Sequence, residues 1–236
     1  MQLRRVTDPH DPAIEAFGHL QDRVYFEPDM LIPARYIAMM LAQTGGDREN
    51  VLLVAEQGDR LVGGTVFHFL PEAGSGFSSF LGIDPAARGQ GLARQLHAAR
   101  WQALQDVSGG TCAALFIDVV HPARESEEQR DAERRAGSDA VGRRARFHAL
   151  GFRTVNVAYR QPVGGPDGGP VTDMDLLAFV PGDPPTLPAA LVADTMRAYW
   201  TPWLGRERAE REAARLLGAG GEVDLRPAWA EPDPQP

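Results

Sequence analysis

Apolar positions recur along this chain with two different periods, and the switches between them lay out its elements. The opening "QLRRVT" alternates and predicts a first strand. "DPAIEAFGHLQDRVYF" turns to helical spacing. It opens with Asp-Pro, an N-cap followed by proline at the first helical position, where no backbone N–H is required. "PARYIAMMLAQTGG" repeats that logic, starting at proline and ending at Gly-Gly. "NVLLVAEQGDRLVGGTVFHFLP" holds two β-rich runs joined by Gln-Gly-Asp, a hairpin signal, and "GFSSFLGID" is a third run after the turn "PEAGSG". Three strands without long connections predict an antiparallel meander.

The pattern then changes. "GLARQLHAARWQALQ" carries Leu92, Leu96, Ala99 and Ala103 at helical spacing, and "TCAALFIDVV" predicts a strand. The charged stretch "SEEQRDAERRAGSDAVGRRARFHAL" predicts a solvated helix with Asp131 and Arg135 as an i,i+4 pair and "GSD" as its break point. "GFRTVNVAYRQP" and "DMDLLAFVP" predict two more strands, separated by the flexible tip "VGGPDGGP". After Gly182, "LPAALVADTMRAYWTPWL" and "ERAEREAARLLGAG" predict two helices. The proline-rich end, "EVDLRPAWAEPDPQP", is expected to be poorly ordered. This order predicts an α/β (α+β) layer on one mixed sheet.

Composition narrows the chemistry. The formal net charge is -8, which argues against generic nucleic-acid binding; an acidic surface serves solubility or suits a cationic partner such as an amine. The single cysteine, Cys112, excludes an internal disulfide and makes a reducing cytoplasm the expected compartment. Its apolar surroundings suit a buried small side chain better than a nucleophile. No apolar run approaches the ~18 residues of a membrane span, so no membrane association is expected. Every basic side chain is Arg, which rules out lysine-based covalent catalysis and a phosphate loop ending in Gly-Lys-Ser/Thr. No metal site is expected.

The stretch "FLGIDPAARGQGLARQL" hands a strand over to a helix through a turn holding Gly89 and Gly91. Backbone N–H groups converging at a helix start favour an anion, and glycine keeps side chains out of the way. A dinucleotide fingerprint needs a third glycine, and Arg94 stands in its place. The stretch instead resembles the acetyl-coenzyme A motif of the GCN5-related N-acetyltransferases (GNAT family), Arg/Gln-x-x-Gly-x-Gly/Ala. Arg88, Gly91 and Ala93 match that motif, and Leu81, Gly82, Ile83, Asp84 and Pro85 precede it. "RFHALGF", residues 146 to 152, resembles the family's Phe-Tyr-x-x-Leu-Gly-Phe.

The resemblance covers residues 3 to 181. It implies an acetyltransferase domain over 1–181 and a C-terminal helical extension with its tail over 182–236. The implied sheet is mostly antiparallel and seven-stranded, splayed between strands four and five and flanked by helices. The co-substrate would be acetyl-CoA, its pantetheine arm pairing with backbone at Leu81, Gly82 and Ile83. The N–H groups of Arg88, Gly89, Gln90, Gly91, Leu92 and Ala93 would hold the pyrophosphate, with the Arg88 side chain either near the phosphates or capping the turn. The acceptor would be the amine of a small molecule or peptide, attacked directly, and a homodimer is possible. The alternative is an acetyl-CoA-binding module without activity.

Acetyl transfer to an amine needs a proton acceptor, a polarised carbonyl and a proton for the departing sulfur. Backbone N–H near Ile83 can polarise the carbonyl. The family's tyrosine acid falls on Phe147 here, which leaves His148 and Tyr159 as candidates. Base candidates are Asp118, at the end of an apolar strand, His121 in an otherwise exposed loop, and His68, which also reads as a satisfied sheet histidine. Glu27 is either part of an acceptor pocket or a helix-terminal charge. The aromatics of "MRAYWTPWL" serve an interface or a core.

Overall fold

Most period-two runs become strands and 3.6-period runs become helices in the residues that the computed structural model describes: 1–25, 31–43, 45–163, 169–216 and 221–230. In chain order they are β1 (Gln2–Val6), α1 (Ala13–Val24), α2 (Ala34–Ala42), β2 (Glu49–Gln57), β3 (Arg60–Leu70) and β4 (Ser75–Ile83). A 3-10 turn (Pro85–Ala87), α3 (Leu92–Ser108), β5 (Leu115–Val120), α4 (Glu127–Arg135) and α5 (Ala140–Ala149) follow. β6 (Phe152–Val155), β7 (Met174–Phe179), β8 (Thr186–Pro188), α6 (Ala189–Leu204), α7 (Arg206–Ala214) and β9 (Glu222–Pro227) complete the set. The hydrogen-bonded strand order is β1-β2-β3-β4-β5-β7-β6-β9-β8. β5 pairs antiparallel with β7, and β6 with both β7 and β9. β4 and β5 run parallel and share only two pairs, Gly76↔Leu115 and Phe77↔Phe116, so the sheet is splayed there as the resemblance implies.

The chain divides into two compact units. The first comprises residues 1–69, 78–110 and 126–139. In it, α1 is anchored by Asp11, whose carboxylate accepts the Ala13 N–H (2.8 Å) and pairs with Arg4 (2.6 Å). Ile14, Phe17 and Leu20 bury one face of α1 with Leu52, Val54 and Phe80, while Leu92 and Leu96 of α3 pack with Ala55 and Val62. Gly64 lets α1 come close: a Cβ there would sit 2.7 Å from the Phe17 ring. A capping box of Ser126 and Gln129 starts α4. Gly137, at φ +69°, ends this charged stretch inside the "GSD" predicted as its break. Asp131 pairs with Arg134 at i,i+3, in place of the predicted Arg135.

The second unit comprises 70–77, 111–125 and 140–236. Its centre is β5, buried on both faces except at Asp118. Asp175 and Arg144, each 1% exposed, pair at 2.8 Å, and Arg124 reaches the other Asp175 oxygen at 2.5 Å. α6 packs through Thr195 onto Ser75 (2.6 Å) and stacks Tyr199 on Phe77 with ring centres 3.6 Å apart. Trp200 is fully buried, so the aromatics of α6 serve the core of this unit; Trp203 remains 38% exposed.

Two expectations change. Among the described residues nine strands are present where seven were predicted, because residues 222–227 are not loose: Glu222–Pro227 pairs with β6 through Arg153↔Pro227, Thr154↔Arg226 and Val155↔Leu225. β6 would otherwise offer a row of unpaired N–H and C=O groups, which "EVDLRP" satisfies while burying Val223. The predicted strand "GFRTVNVAYRQP" stops at Val155, after which Val157 and Tyr159 donate to carbonyls two residues back at 2.8 and 2.9 Å, folding the backbone out of the sheet. The tip at 164–168 and residues 231–236 lie outside the described residues. Among the described residues, no helix is long and apolar enough to cross a membrane.

Candidate active site

The handover from β4 to α3 is built by Asp84. Its carboxylate accepts the Ala86 N–H at 3.0 Å and pairs with Arg60 at 2.7 Å and Arg23 at 3.5 Å. Burial opposes the charge, but these donors outweigh it and hold the carboxyl below its usual range. Gly89 and Gly91 then take φ of +77° and +76°, the left-handed region. A Cβ at either would meet nothing within 4 Å, so conformation, not crowding, demands glycine here.

The first helix bonds are Arg94 N–H to the Gly91 carbonyl (3.1 Å) and Gln95 N–H to the same oxygen (3.2 Å). Among the described residues, no protein acceptor takes the N–H of Gly89, Gln90, Gly91, Leu92 or Ala93. This is a cradle of donors at the positive end of a helix dipole, and its chemistry fits a diphosphate. Arg88 N–H is already used, donating to Pro85 O at 3.3 Å. The Arg88 guanidinium donates to Ile83 O at 3.3 Å and to Gly137 O, so the geometry takes the capping alternative for that side chain. Leu81 and Ile83 are half-buried beside Leu92 and Leu96. Gly82 is buried where a Cβ would run into Phe80 (2.8 Å) and Val24 (2.9 Å).

The second unit holds the titratable pair. The Tyr159 hydroxyl donates to Asp118 Oδ2 at 3.0 Å. Tyr159 is 5% exposed and Asp118 half-buried. Burial pushes the Asp118 carboxyl up to about 6, against the lowering effect of the Tyr159 hydrogen bond. Burial, the Asp118 charge and Tyr199 push the phenol well above its usual value. Trp200 lies over Tyr159 with ring centres 6.2 Å apart. Tyr199 and Trp200 were not among the predicted site residues; the aromatic density of "MRAYWTPWL" was the only signal for them, and it did not say where α6 packs.

The other candidates stand apart from this pair, each with partners of its own. His148 accepts the Ala228 N–H at 3.4 Å, lies 3.3 Å from an Arg153 nitrogen and packs on Trp229 with ring centres 4.1 Å apart. Burial and the Arg153 charge lower its pKa, and it is not part of the Asp118–Tyr159 pair. Phe147 packs edge-on against Phe152. His121 is buried, contrary to the exposed loop expected, because its Nδ1 accepts the Ala123 N–H (3.2 Å) and closes the turn after β5. His68 has Asn50 Oδ1 and Ser79 Oγ each at 2.8 Å and is a satisfied sheet histidine, pushed down to about 3 by burial. Cys112 is buried, and burial pushes its thiol up to about 12. Glu27 lies outside the described residues. Among the described residues, no cluster of His, Cys, Asp and Glu is arranged to hold a metal ion.

Residues 14–126 match the model of the acetyltransferase (GNAT) family, a span that contains the turn, with Arg88, Gly91 and Ala93 in place, and Asp118. Those residues form a GNAT acetyltransferase domain. Domains of this family are acyltransferases that take acetyl-CoA as co-substrate. Solved GNAT-like structures share the fold. A protein from the GNAT family of Bacteroides thetaiotaomicron is 13% identical over 87% of this chain and 99% of its own, with a TM-score of 0.53. A GNAT-family protein of Desulfovibrio desulfuricans is 17% identical over 76% and 98%, with a TM-score of 0.50. An aminoglycoside 6'-N-acetyltransferase complexed with coenzyme A is 13% identical over 76% and 97%, also at 0.50. No curated protein matches the sequence significantly. Tyr159 and α6 lie beyond the span of the GNAT match.

Proposed function

We propose that this protein transfers the acetyl group of acetyl-CoA to the amine of a small-molecule or peptide acceptor by direct attack, with Asp118 as proton acceptor and Tyr159 as proton donor. The observation that carries the reading is the 3.0 Å hydrogen bond between a half-buried carboxylate and a buried phenol. A carboxylate poised at about 6 is charged at neutral pH yet basic enough to take a proton from an ammonium. The phenol keeps its proton until sulfur needs it.

Acetyl-CoA supplies an activated acyl group and a thiolate leaving group. The N–H groups of Gly89 to Ala93 bind its diphosphate, and Arg88 stiffens that turn from behind. The backbone at Leu81, Gly82 and Ile83 takes the pantetheine arm, and N–H near Ile83 orients toward the thioester oxygen. The Ile83 carbonyl already receives Arg88, so the pairing at this residue runs through its N–H.

A second reading, a binding module without catalysis, is favoured by Phe147, which offers no hydroxyl where the family motif carries tyrosine. Two measurements decide. Saturating acetyl-CoA should raise the melting temperature of the full chain. Thiol release from acetyl-CoA should then respond to at least one of benzylamine, spermidine and a short peptide with a free N-terminus. Donor binding without thiol release would leave the binding module; no binding would refute both readings.

A further inference from the structure

An acid and a base that work independently must each reset against water after every turnover. Here the two candidate groups touch, and the hydrogen bond already has a direction: the phenol donates and the carboxylate accepts. Tyr159 is nearly sealed from solvent, with Trp200 across its ring, so Asp118 is the route by which it can be reprotonated. Asp118 itself is only half-buried and keeps a route to water.

We propose that Asp118 and Tyr159 form one closed proton relay, in which Asp118 returns to Tyr159 the proton that Tyr159 gives to the departing sulfur. This rests on the acetyl-transfer reading above. The acceptor arrives as R–NH3+. The Asp118 carboxylate takes one proton and passes it to water, leaving the neutral amine. The nitrogen lone pair forms the C–N bond at the thioester carbon while the carbonyl π pair moves to oxygen. The N–H proton of the resulting cationic centre goes to Asp118. The carbonyl re-forms, the C–S bond breaks with its electron pair on sulfur, and sulfur takes the Tyr159 hydroxyl proton. The Tyr159 oxyanion then takes the proton from Asp118 across their shared bond. Ammonium and thioester become amide, thiol and one proton to water, and both side chains end as they began.

The coupling also sets the order of events. A charged Asp118 helps hold the phenol proton in place. Once Asp118 has taken the nitrogen proton that charge is gone, and the phenol becomes the better acid at the moment sulfur leaves. The ionisable neighbour acting on Asp118 is Tyr159, and those acting on Tyr159 are Asp118 and Tyr199.

The test combines a titration that needs no acceptor with a kinetic cycle. In wild-type protein labelled with 13C-tyrosine, the Tyr159 Cζ resonance, identified by its loss in Tyr159→Phe, should titrate with a midpoint near 6 and lose that titration in Asp118→Asn. With acetyl-CoA and the best acceptor among benzylamine, spermidine and the peptide, each single variant should lower kcat by about 10²-fold. The double variant Asp118→Asn/Tyr159→Phe should fall no more than roughly twofold below the worse single, since the second loss breaks a relay already broken. A Tyr159 resonance blind to Asp118, or single losses that multiply in the double variant, would overturn the relay while leaving acetyl transfer intact. Donor binding without thiol release to any acceptor would overturn the acetyl-transfer reading and the relay together.

Discussion

Replacing Asp118 by Asn should make the protein more stable at neutral pH while disabling it. The carboxyl titrates at 3.8 in an unfolded chain and at about 6 in the folded one, chiefly because burial disfavours its charge. Its folded form therefore binds a proton more tightly than its unfolded form. The contribution to stability is greatest below pH 3.8 and is lost as pH rises toward 6. Fully ionised, the buried charge costs roughly 3 kcal/mol at one pKa unit per 1.36 kcal/mol. Half-exposure makes this an upper bound. An amide of the same shape carries no such penalty and still accepts the Tyr159 hydroxyl proton.

About half of the cost is already present at pH 5, so the advantage of the Asp118→Asn variant over wild type should grow by up to about 1.4 kcal/mol between pH 5 and pH 8. For a chain of this size that is up to roughly 5 °C in melting temperature. Paired melting curves across that range, with thiol release measured in the same buffers, are the assay. A variant less stable than wild type at pH 8, or an advantage that does not change with pH, would refute the claim that Asp118 is held charged against its surroundings.

Gly91→Ala should cost about 1–2 kcal/mol of stability because its φ of +76° lies where an L side chain is disfavoured. Open space around the added Cβ means no clash contributes. Calorimetry should show acetyl-CoA binding weakened as the N–H groups turn away; unchanged affinity would place the diphosphate elsewhere. Asp175→Ala should cost about 3–5 kcal/mol, since it leaves Arg144 and Arg124 as uncompensated cations, one of them fully buried. A denaturant midpoint close to wild type would show that the carbonyls around Arg144 satisfy it alone.

What the sequence made legible follows from how local each feature is. The cradle at Gly89 to Ala93 is encoded in a few consecutive residues: Asp-Pro to turn the strand, glycines for positive φ, and an apolar stripe to hold α3. Its backbone donors need no partner from elsewhere, so a short motif is enough to announce them. The break at Gly137 and the helices α6 and α7 were legible for the same reason. The end strand β9 was not. "EVDLRP", flanked in sequence by "GAGG" and a proline-rich run, carries little signal alone, and it becomes a strand because β6 has an open edge for it.

The proposed proton donor was obscured in another way. The motif that fixes the family also names a position for the acid, and this chain fills that position with Phe147, packed against Phe152. A proton donor is defined by reach to a carboxylate and a sulfur, which any element can provide. Tyr159 provides the first of these from irregular backbone that two tight turns lift out of the sheet. No periodicity marks those turns, and the separation of 41 positions between Asp118 and Tyr159 hides their contact from any local reading. The same turns that spoil the strand expected over "NVAYRQP" bring the phenol to the carboxylate. The loss of regular structure there and the contact between phenol and carboxylate are thus one event.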